Sequence, residues 1–336
     1  MARVLLASTD HVGTTMAGPG IRAWELAGTL AREYRHAVTL AVPGSSDLLP
    51  DGFEIFPYVW NQPGALLPAL ARADVVIGQG FVFEMQPELL ACDLPLAIDL
   101  YDPLIMESLD LYAGAELATA QAQHTRYQHL TDAQLRRGDF FFCASERQRD
   151  YWLGALTAAG RITPQLARSI DRDLRGLLDL VPSGIAAQPP QHTAPVLRGQ
   201  HPAIDEHSLL LLWAGGLWDW FDPCIVIQAM ADLRDELPHL RLCIFGGARP
   251  NPHGDPIRTR KAEEARARAA ATGLLDTAVI FLDTWIPYHK RGAYLAEADA
   301  GVSAHLPAWR HGSPFARACS ITSGHGCRAV FGGRIA

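Results

Sequence analysis

Two glycine-rich segments of the sequence have the composition of anion-binding turns. Gly18-Pro19-Gly20 leads through Ile21 and Arg22 into an amphipathic segment, and Gly215-Gly216 precedes Asp222-Pro223, a residue pair typical of a helix start. The N-terminus of a helix presents free backbone N–H groups and a positive dipole end, which favour a phosphate or a carboxylate. Each segment therefore predicts an anion site, and a plain turn is the alternative for each.

Carboxylates and aromatic rings lie close to these segments. Asp99 and Asp102 come at the end of a predicted strand, where a carboxylate can act as a base or stabilise a developing charge. Asp102-Pro103 also suits an ordinary turn. Trp218 and Trp220 follow the second glycine pair, and two tryptophans there either stack on a sugar or a base or pack against their own domain.

The elements that position these residues alternate between short strands and longer helices, which is typical of a parallel sheet built from βαβ units. In the first half we predict strands at Arg3–Ala7, Ala37–Val42, Glu54–Tyr58, Asp74–Ile77, Leu96–Leu100 and Asp139–Cys143, with helices at Ile21–Arg32, Gly64–Arg72, Leu104–Arg136 and Glu146–Ala159. Because parallel sheets bind ligands at the carboxyl ends of their strands, the loops after the strands are the expected sites.

A second α/β series follows a segment with the composition of a linker. Residues 185–207 are rich in Pro, Gln, His and Ala and show no hydrophobic periodicity. Beyond them we predict strands at Ser208–Ala214, Arg241–Phe245, Ala278–Leu282 and Ala300–Ala304, with helices at Pro223–Glu236, Arg258–Thr272 and Tyr288–Glu297. The sequence therefore predicts an α/β protein with two Rossmann-like domains, at 1–184 and 208–307.

Composition excludes several classes of protein. The chain has 336 residues, of which 49% are hydrophobic and 19% charged, so we expect a globular protein. Its net charge of −7 provides no overall positive field for nucleic acid. Apolar runs are too short for a transmembrane segment or a signal peptide, and six cysteines without a C-x-x-C pair suit a reducing compartment. We expect a cytoplasmic protein with no nucleic-acid partner, no transmembrane segment and no zinc site.

Four stretches of sequence, taken in order, resemble a known family. They are Gly18–Ala27, His36–Leu40, Leu212–Gly216 and Tyr294–Ser303. With these motifs, the chain resembles family 4 of the retaining glycosyltransferases over most of Met1–Pro307. That family has the GT-B architecture of two Rossmann-like domains. Family members continue beyond the last motif with further α/β units, so the resemblance implies that the second domain is incomplete here.

The resemblance implies that a sugar is transferred from a nucleotide-sugar donor held mainly by the second domain. The acceptor would be a glycan, a lipid-linked molecule or a small molecule, held mainly by the first domain. Because the nucleotide-sugar is a substrate, we expect no cofactor, and we expect no tightly bound metal, since helix dipoles and side chains can neutralise a diphosphate. The residues that we expect to contact the substrates are Gly18, Gly20, Arg22, Gly215, Gly216, Asp219, Trp285, Ile286 and His305.

Two positions depart from the pattern of the family. The strand that often ends in a catalytic histidine ends here in Tyr101-Asp102, so Asp102 is the catalytic candidate. In the family, the second glycine turn usually supplies an arginine and, several residues later, a lysine to the diphosphate. This chain has Gly216 or Leu217 at the arginine position and Phe221 or Asp222 at the lysine position.

Residues 308–336 differ in composition from the rest of the chain. They include four Arg and no Asp, Glu or Leu. The genetic code permits a different peptide in another reading frame, in which each codon takes the third base of one codon and the first two bases of the next. Read in this way from the codons of Ala308 and Trp309, the gene could encode a peptide that begins Leu-Glu-Thr-Arg-Phe-Ser-Phe-Arg-Thr-Arg. This peptide resembles the missing donor-site helix of the family. We therefore expect a frameshift near Leu306–Trp309 and an aberrant, disordered tail. A natural short tail is the alternative.

Two other classes of function remain open. A non-catalytic remnant would fold its first domain and bind at most an acceptor or a partner. A dinucleotide-binding oxidoreductase is disfavoured, because the sequence lacks a G-x-G-x-x-G motif followed by an acidic residue.

Overall fold

The chain divides into two compact units, one ending at Ser183 and the other beginning at Gly184. The computed structural model describes residues 1–169, 172–185, 189, 192, 194–245, 248, 259–305 and 328–332. Each unit has its own parallel sheet and its own buried hydrophobic core. The predicted α/β fold class, with two parallel-sheet units, is confirmed.

The first unit is a seven-stranded parallel sheet with helices between its strands. Its strands are β1 Arg3–Ala7, β2 Ala37–Pro43, β3 Glu54–Tyr58, β4 Val75–Gly78, β5 Leu96–Asp99, β6 Phe140–Cys143 and β7 Leu178–Leu180. Its helices are α1 Gly18–Arg32, α2 Leu67–Leu70, α3 Val82–Met85, α4 Glu88–Ala91, α5 Leu104–Leu111, α6 Leu117–Arg137, α7 Glu146–Ala158 and α8 Pro164–Ser169.

Strand β1 lies where the strand order of the first sheet reverses. The order is β3-β2-β1-β4-β5-β6-β7, so β1 pairs with β2 on one side and with β4 on the other. Val4, Leu5, Leu6 and Ala7 are all buried, as expected for a parallel strand whose two faces are both covered. The carboxyl end of β1 is therefore a topological switch point, where open α/β sheets bind ligands.

The second unit contains five parallel strands. They are β8 Leu209–Trp213, β9 Leu240–Phe245, β10 Val279–Leu282, β11 Ala300–Ala304 and β12 Arg328–Gly332, in the order β10-β9-β8-β11-β12. The helices are α9 Pro223–Asp232, α10 Arg260–Ala271 and α11 Arg291–Glu297, with a 3-10 turn at Tyr288–Lys290 before α11. Strand β8 lies between β9 and β11, so its carboxyl end is the switch point of this sheet.

The second half of the expected linker packs on the second sheet. Leu197 and Ile204 are each only 1% exposed. The buried carboxylate of Glu297, at the end of α11, accepts the backbone N–H groups of Val196, Leu197 and Arg198 at 2.5, 2.9 and 2.8 Å. The segment shows no hydrophobic periodicity because it forms no regular helix or strand. Hydrogen bonds to the Glu297 side chain hold it in place instead. Residues 186–188, 190, 191 and 193 lie outside the described residues.

The helices differ from the predicted ones in number and in length, most clearly over Leu104–Arg136. The single helix expected over Leu104–Arg136 is two helices, α5 and α6, because the chain turns around Gly114. Ser108 Oγ and His124 Nδ1 lie 2.8 Å apart and join the two helices. The prediction omitted α3, α4, α8 and β7, which are too short to show a hydrophobic period.

The tail at 308–336 is described only at β12. This strand pairs in parallel with β11 from Ala300 and Arg328 to Ala304 and Gly332, so these five residues form a strand where we expected disordered chain. The rest of the tail and the expected frameshift point at Leu306–Trp309 lie outside the described residues. In the part of the chain that is described, no helix has both the length and the apolar character of a bilayer span.

Candidate functional site

The glycine turn after β1 places a helix start at the switch point of the first sheet. Gly18 opens α1, and the N-cap residue Ala17 provides no side-chain cap. A Cβ built on Gly18 would meet nothing within 4 Å, whereas a Cβ on Gly20 would lie 2.1 Å from the carbonyl oxygen of His11. Gly18 is therefore open to a ligand, and Gly20 is required by a close backbone contact within the loop.

Asp47, which the sequence analysis did not single out, holds the loop before α1. Its carboxylate accepts the Thr14 hydroxyl at 2.6 Å and the Thr14 backbone N–H at 2.8 Å. These two bonds lower the pKa of Asp47. Asp47 follows β2, which pairs directly with β1, so strand pairing brings the two loops together. No local sequence signal marks this contact.

Arg22 makes its polar contacts inside the first unit. Its guanidinium donates to the two carboxylate oxygens of Asp99, at 2.5 and 3.1 Å, and to the carbonyl of Val181 at 2.7 Å. Only 8% of the Arg22 side chain and 5% of the Asp99 side chain are exposed. The guanidinium also lies over the ring of Tyr101, 4.7 Å from its centroid. Where we expected a substrate contact, the structure has a buried ion pair.

Asp102 lies just beyond β5, at the same edge of the sheet as the glycine turn. Gln79, which follows β4, donates from Nε2 to the Asp102 carboxylate at 2.9 Å. Both side chains are half-buried. The pairing of β4 with β5 brings them together. Asp102 was a predicted site residue and Gln79 was not, although Gln79 lies two residues after the predicted strand Asp74–Ile77.

A small cavity lies between α1 and the ends of β1, β4 and β5. Its volume is about 20 Å³, and Ser8, Pro19, Arg22, Gln79 and Asp99 are among the residues that line it. A cavity of this size holds roughly one water molecule. It is therefore far too small for a sugar, and any sugar would bind outside it.

The second glycine turn follows β8. Gly215 and Gly216 are exposed; a Cβ on Gly215 would meet nothing within 4 Å, and one on Gly216 would lie 3.1 Å from Trp218 Nε1. Asp222 caps the next helix, α9, by accepting the backbone N–H of Ile225 at 3.3 Å. The predicted helix start is therefore present. The Asp222 carboxylate already accepts one of the backbone N–H groups with which a bound anion would form hydrogen bonds.

The loop between this turn and α9 is anchored to α10. Asp219 accepts the backbone N–H of Lys261 at 3.2 Å. The hydroxyl of Thr259, the N-cap of α10, donates to the carbonyl of Leu217. Asp219, expected to contact the donor, therefore holds the shape of the loop.

Aromatic side chains of the same loop pack on the core of the second unit. Trp218 and Trp220 stack with their ring centroids 5.4 Å apart and their planes at 12°, and both contact that core. His305, directly after β11, bridges to Phe221, with ring centroids 4.8 Å apart. Packing against their own domain is thus the observed arrangement of the tryptophans, and His305 lies beside the loop after β8.

The segment after β10 is held by Arg291, the first residue of α11. Its guanidinium lies over the ring of Trp285, 5.4 Å from the centroid, and its Nε donates to the Ile286 carbonyl at 3.2 Å. Burial lowers the pKa of Arg291. Trp285 Nε1 is buried and has no hydrogen-bond partner within the described part of the chain.

No group of three or more His, Cys, Asp or Glu among the described residues has the arrangement of a metal site.

Comparison with known proteins identifies the fold. No protein-family model matches the sequence, and no curated protein sequence does. Among solved structures, sucrose-phosphate synthase from Thermosynechococcus elongatus is 16% identical with a TM-score of 0.58, and the alignment covers 90% of this chain and 75% of that one. The fold is of the GT-B type. WaaG, a glycosyltransferase of lipopolysaccharide biosynthesis, matches the GT-B fold of this chain at 16% identity and a TM-score of 0.55, over 90% of this chain and 75% of that chain.

A third structure with the GT-B fold contains a sugar nucleotide. It is a trehalose-6-phosphate protein from E. coli bound with UDP-2-fluoro glucose, 13% identical with a TM-score of 0.55, over 91% of this chain and 78% of that chain. At these identities the likeness supports the fold alone.

Proposed function

We propose that the chain is a glycosyltransferase that moves a sugar from a nucleotide-sugar donor to a hydroxyl group of an acceptor. The observation that carries this proposal is that the chain after the switch strand of each sheet leads to exposed glycine residues, at Gly18, where α1 begins after β1, and at Gly215, after β8. Open α/β sheets bind ligands at these points. The donor class is supported by a protein of the same fold that was solved with UDP-2-fluoro glucose bound.

The second unit is the proposed donor side. Gly215 is open enough for a diphosphate oxygen to approach the backbone, with Gly216 next to it. Trp285 and Ile286, in the segment after β10, would lie against the base of the nucleotide. His305 lies beside this turn and would complete the donor side.

The first unit is the proposed acceptor side. Gly18 provides an open, uncapped helix start, and the Asp102 carboxylate is oriented by Gln79. During transfer the bond between the anomeric carbon and the diphosphate oxygen breaks, and a bond from the acceptor oxygen to the same carbon forms. The acceptor hydroxyl loses its proton. We assign Asp102 to stabilise the positive charge on the sugar or to accept that proton.

We also propose that the tail weakens this activity. Residues 308–336 contain four Arg and no Asp, Glu or Leu, so they lack the acidic and leucine side chains that codon degeneracy permits in the alternative reading frame. If residues 308–336 stand in place of helices that would cover the second sheet, ligand contacts are lost and apolar surface is exposed together. The 336-residue chain would then bind the donor weakly and transfer little sugar.

Sugar transfer by two matched proteins tests both proposals. The 336-residue chain and a version with the frame restored after Pro307 are incubated with a panel of nucleotide-sugars and acceptors, and nucleotide release is measured. We expect donor-dependent release from the restored chain and much less from the 336-residue chain. In the restored chain, Asp102→Ala should lower kcat by at least about 100-fold.

The possible results separate the alternatives. Rapid transfer by the 336-residue chain would contradict the proposed effect of the tail. If neither chain binds or consumes any nucleotide-sugar, the glycosyltransferase proposal is wrong and a non-catalytic binding protein remains. Sequencing the gene across the codons for Leu306 to Trp309 checks the reading frame directly.

A further inference from the structure

We infer that the buried pair of Arg22 and Asp99 is a positioning device, which fixes the distance between the glycine turn of α1 and the loop that carries Asp102. The catalytic consequence of this inference rests on the proposed function. The mechanical part, that the pair holds the two segments together, does not depend on any substrate.

The pair joins three elements of the first unit. Arg22 lies one helical turn after Gly18, Asp99 is the last residue of β5, and the Val181 carbonyl that also accepts from Arg22 lies directly after β7. Asp99 Oδ1 accepts the backbone N–H of Tyr101 at 3.1 Å as well. The carboxylate therefore holds the start of the loop that leads to Asp102 while the guanidinium holds the first turn of α1.

Burial distinguishes this pair from the other ion pairs that the structure describes. Within the described residues it is the one pair in which both side chains are less than 10% exposed, whereas Arg136 and Asp132 on α6 are 61% and 52% exposed. A buried ion pair is often no more stabilising than apolar side chains of similar volume. A planar guanidinium that donates to two carboxylate oxygens does, however, fix direction as well as distance. We therefore expect the pair to fix the orientation of α1 relative to the end of β5 more than to add stability.

The small cavity next to the pair provides the route to Asp102. Arg22 and Asp99 line it together with Gln79, whose amide donates to the Asp102 carboxylate. A space that holds roughly one water molecule leaves room for side chains to shift if the pair is lost. If the pair is lost, side chains that line this cavity can shift, and Gln79, which holds the Asp102 carboxylate, is one of them.

Variants that separate orientation from stability test the inference. Arg22→Met combined with Asp99→Leu removes both charges at once, so no lone buried charge remains and the thermal midpoint should stay close to that of the wild type. Arg22→Lys keeps the charge and loses the planar fork. Arg136→Lys, in the exposed pair, is the matched control and should change nothing.

Two measurements are made on these full-length proteins. Hydrogen exchange of residues 17–24 and 100–104 should become about 10-fold faster in both Arg22 variants, since the tether between these segments is gone. Steady-state sugar transfer, measured on the 336-residue and frame-restored chains, should show kcat lowered about 10- to 100-fold, because misplacement by an ångström is enough for such a loss. The KM for the donor should change little, since the donor contacts lie in the second unit.

Unchanged exchange in both segments of the double variant would overturn the inference and leave the pair as packing alone. If the double variant does not fold, unchanged exchange in Arg22→Lys overturns it equally. If neither the 336-residue chain nor the frame-restored chain transfers sugar from any donor, the proposed function fails, and the exchange data still decide whether the pair positions the two segments. Faster exchange with unchanged kcat would show that the pair has no part in catalysis.

Discussion

Gly18 and Gly20, two residues apart at the start of α1, have different surroundings. A Cβ on Gly20 would lie 2.1 Å from a backbone oxygen, which cannot move as a flexible side chain could, and a Cβ on Gly18 would meet nothing within 4 Å. The composition of the segment predicted a glycine turn but did not distinguish the two roles, because the oxygen in question belongs to His11 in the preceding loop.

The first prediction compares the two glycines. Gly20→Ala should lower the free energy of unfolding by about 2–3 kcal/mol, because the methyl group overpacks the loop. Gly18→Ala should leave it unchanged or raise it by up to about 1 kcal/mol, since glycine is the less favourable residue within a helix. Urea unfolding of both variants gives the values, and equal losses at the two positions would contradict the assignment.

The second residue-scale feature is the buried carboxylate of Glu297. Burial would raise its pKa, but the N–H groups of Arg198, Val196 and Leu197 and the His192 ring outweigh burial and lower the pKa. A carboxylate with a lowered native pKa adds stability at pH above its unfolded pKa. That stability is lost as the pH falls through the native pKa.

We therefore predict that residues 194–198 detach from α11 in acid. The protection factors of their amides, that is, exchange rates corrected for the intrinsic rate at each pH, should fall once the pH drops below the ordinary glutamate pKa of 4.5. Glu297→Gln should remove this pH dependence and cost about 2–3 kcal/mol at neutral pH, because bonds to a charged acceptor are lost. Glu236→Gln, at an exposed glutamate, is the control. Protection factors that do not change with pH in the wild type would show that Glu297 does not hold the segment.

At the scale of elements, helix α9 begins where its local sequence indicates. Asp222 precedes Pro223, and the structure shows the Asp222 carboxylate capping the N–H of Ile225. Helix α7 begins in the same way, with Ser145 Oγ accepting the N–H of Gln148 at 3.2 Å. Both caps are contacts between residues three positions apart, so a local pattern is enough to predict them.

The third prediction tests the cap of α9. Asp222→Ala should destabilise the second unit by about 1 kcal/mol, while Asp222→Asn should cost much less, because asparagine is an equally good N-cap. Thermal unfolding of the two variants measures the difference. Equal losses from both substitutions would mean that the charge of Asp222, and not its cap, supports the helix.

At the scale of the whole molecule, each unit has a core of its own. The core of the first unit includes Leu5, Ile98, Phe141 and Trp152, all within residues 1–183. Trp152 is 1% exposed, and its Nε1 donates to the Leu100 carbonyl at 2.9 Å. Among the described residues, every member of this core cluster lies within residues 1–183.

The fourth prediction is that residues 1–183 fold as an independent protein. The fragment should unfold cooperatively, with the blue-shifted fluorescence of a buried Trp152. A fragment of residues 1–137 lacks β6 and β7 and leaves β5 as an unpaired edge, so it should not fold. A fragment 1–183 without a cooperative transition would show that the first unit needs the second.

The sequence by itself determined the α/β class, most strands and helices, the glycine turns and the cap at Asp222, because hydrophobic period and capping act between residues a few positions apart. Only the tertiary structure decided which side chains meet. Arg22 and Asp99 are 77 residues apart, and Arg22 and Val181 are 159 apart. Such pairs exist because parallel strands place distant loops at one edge of a sheet, and strand order is not encoded in any local pattern.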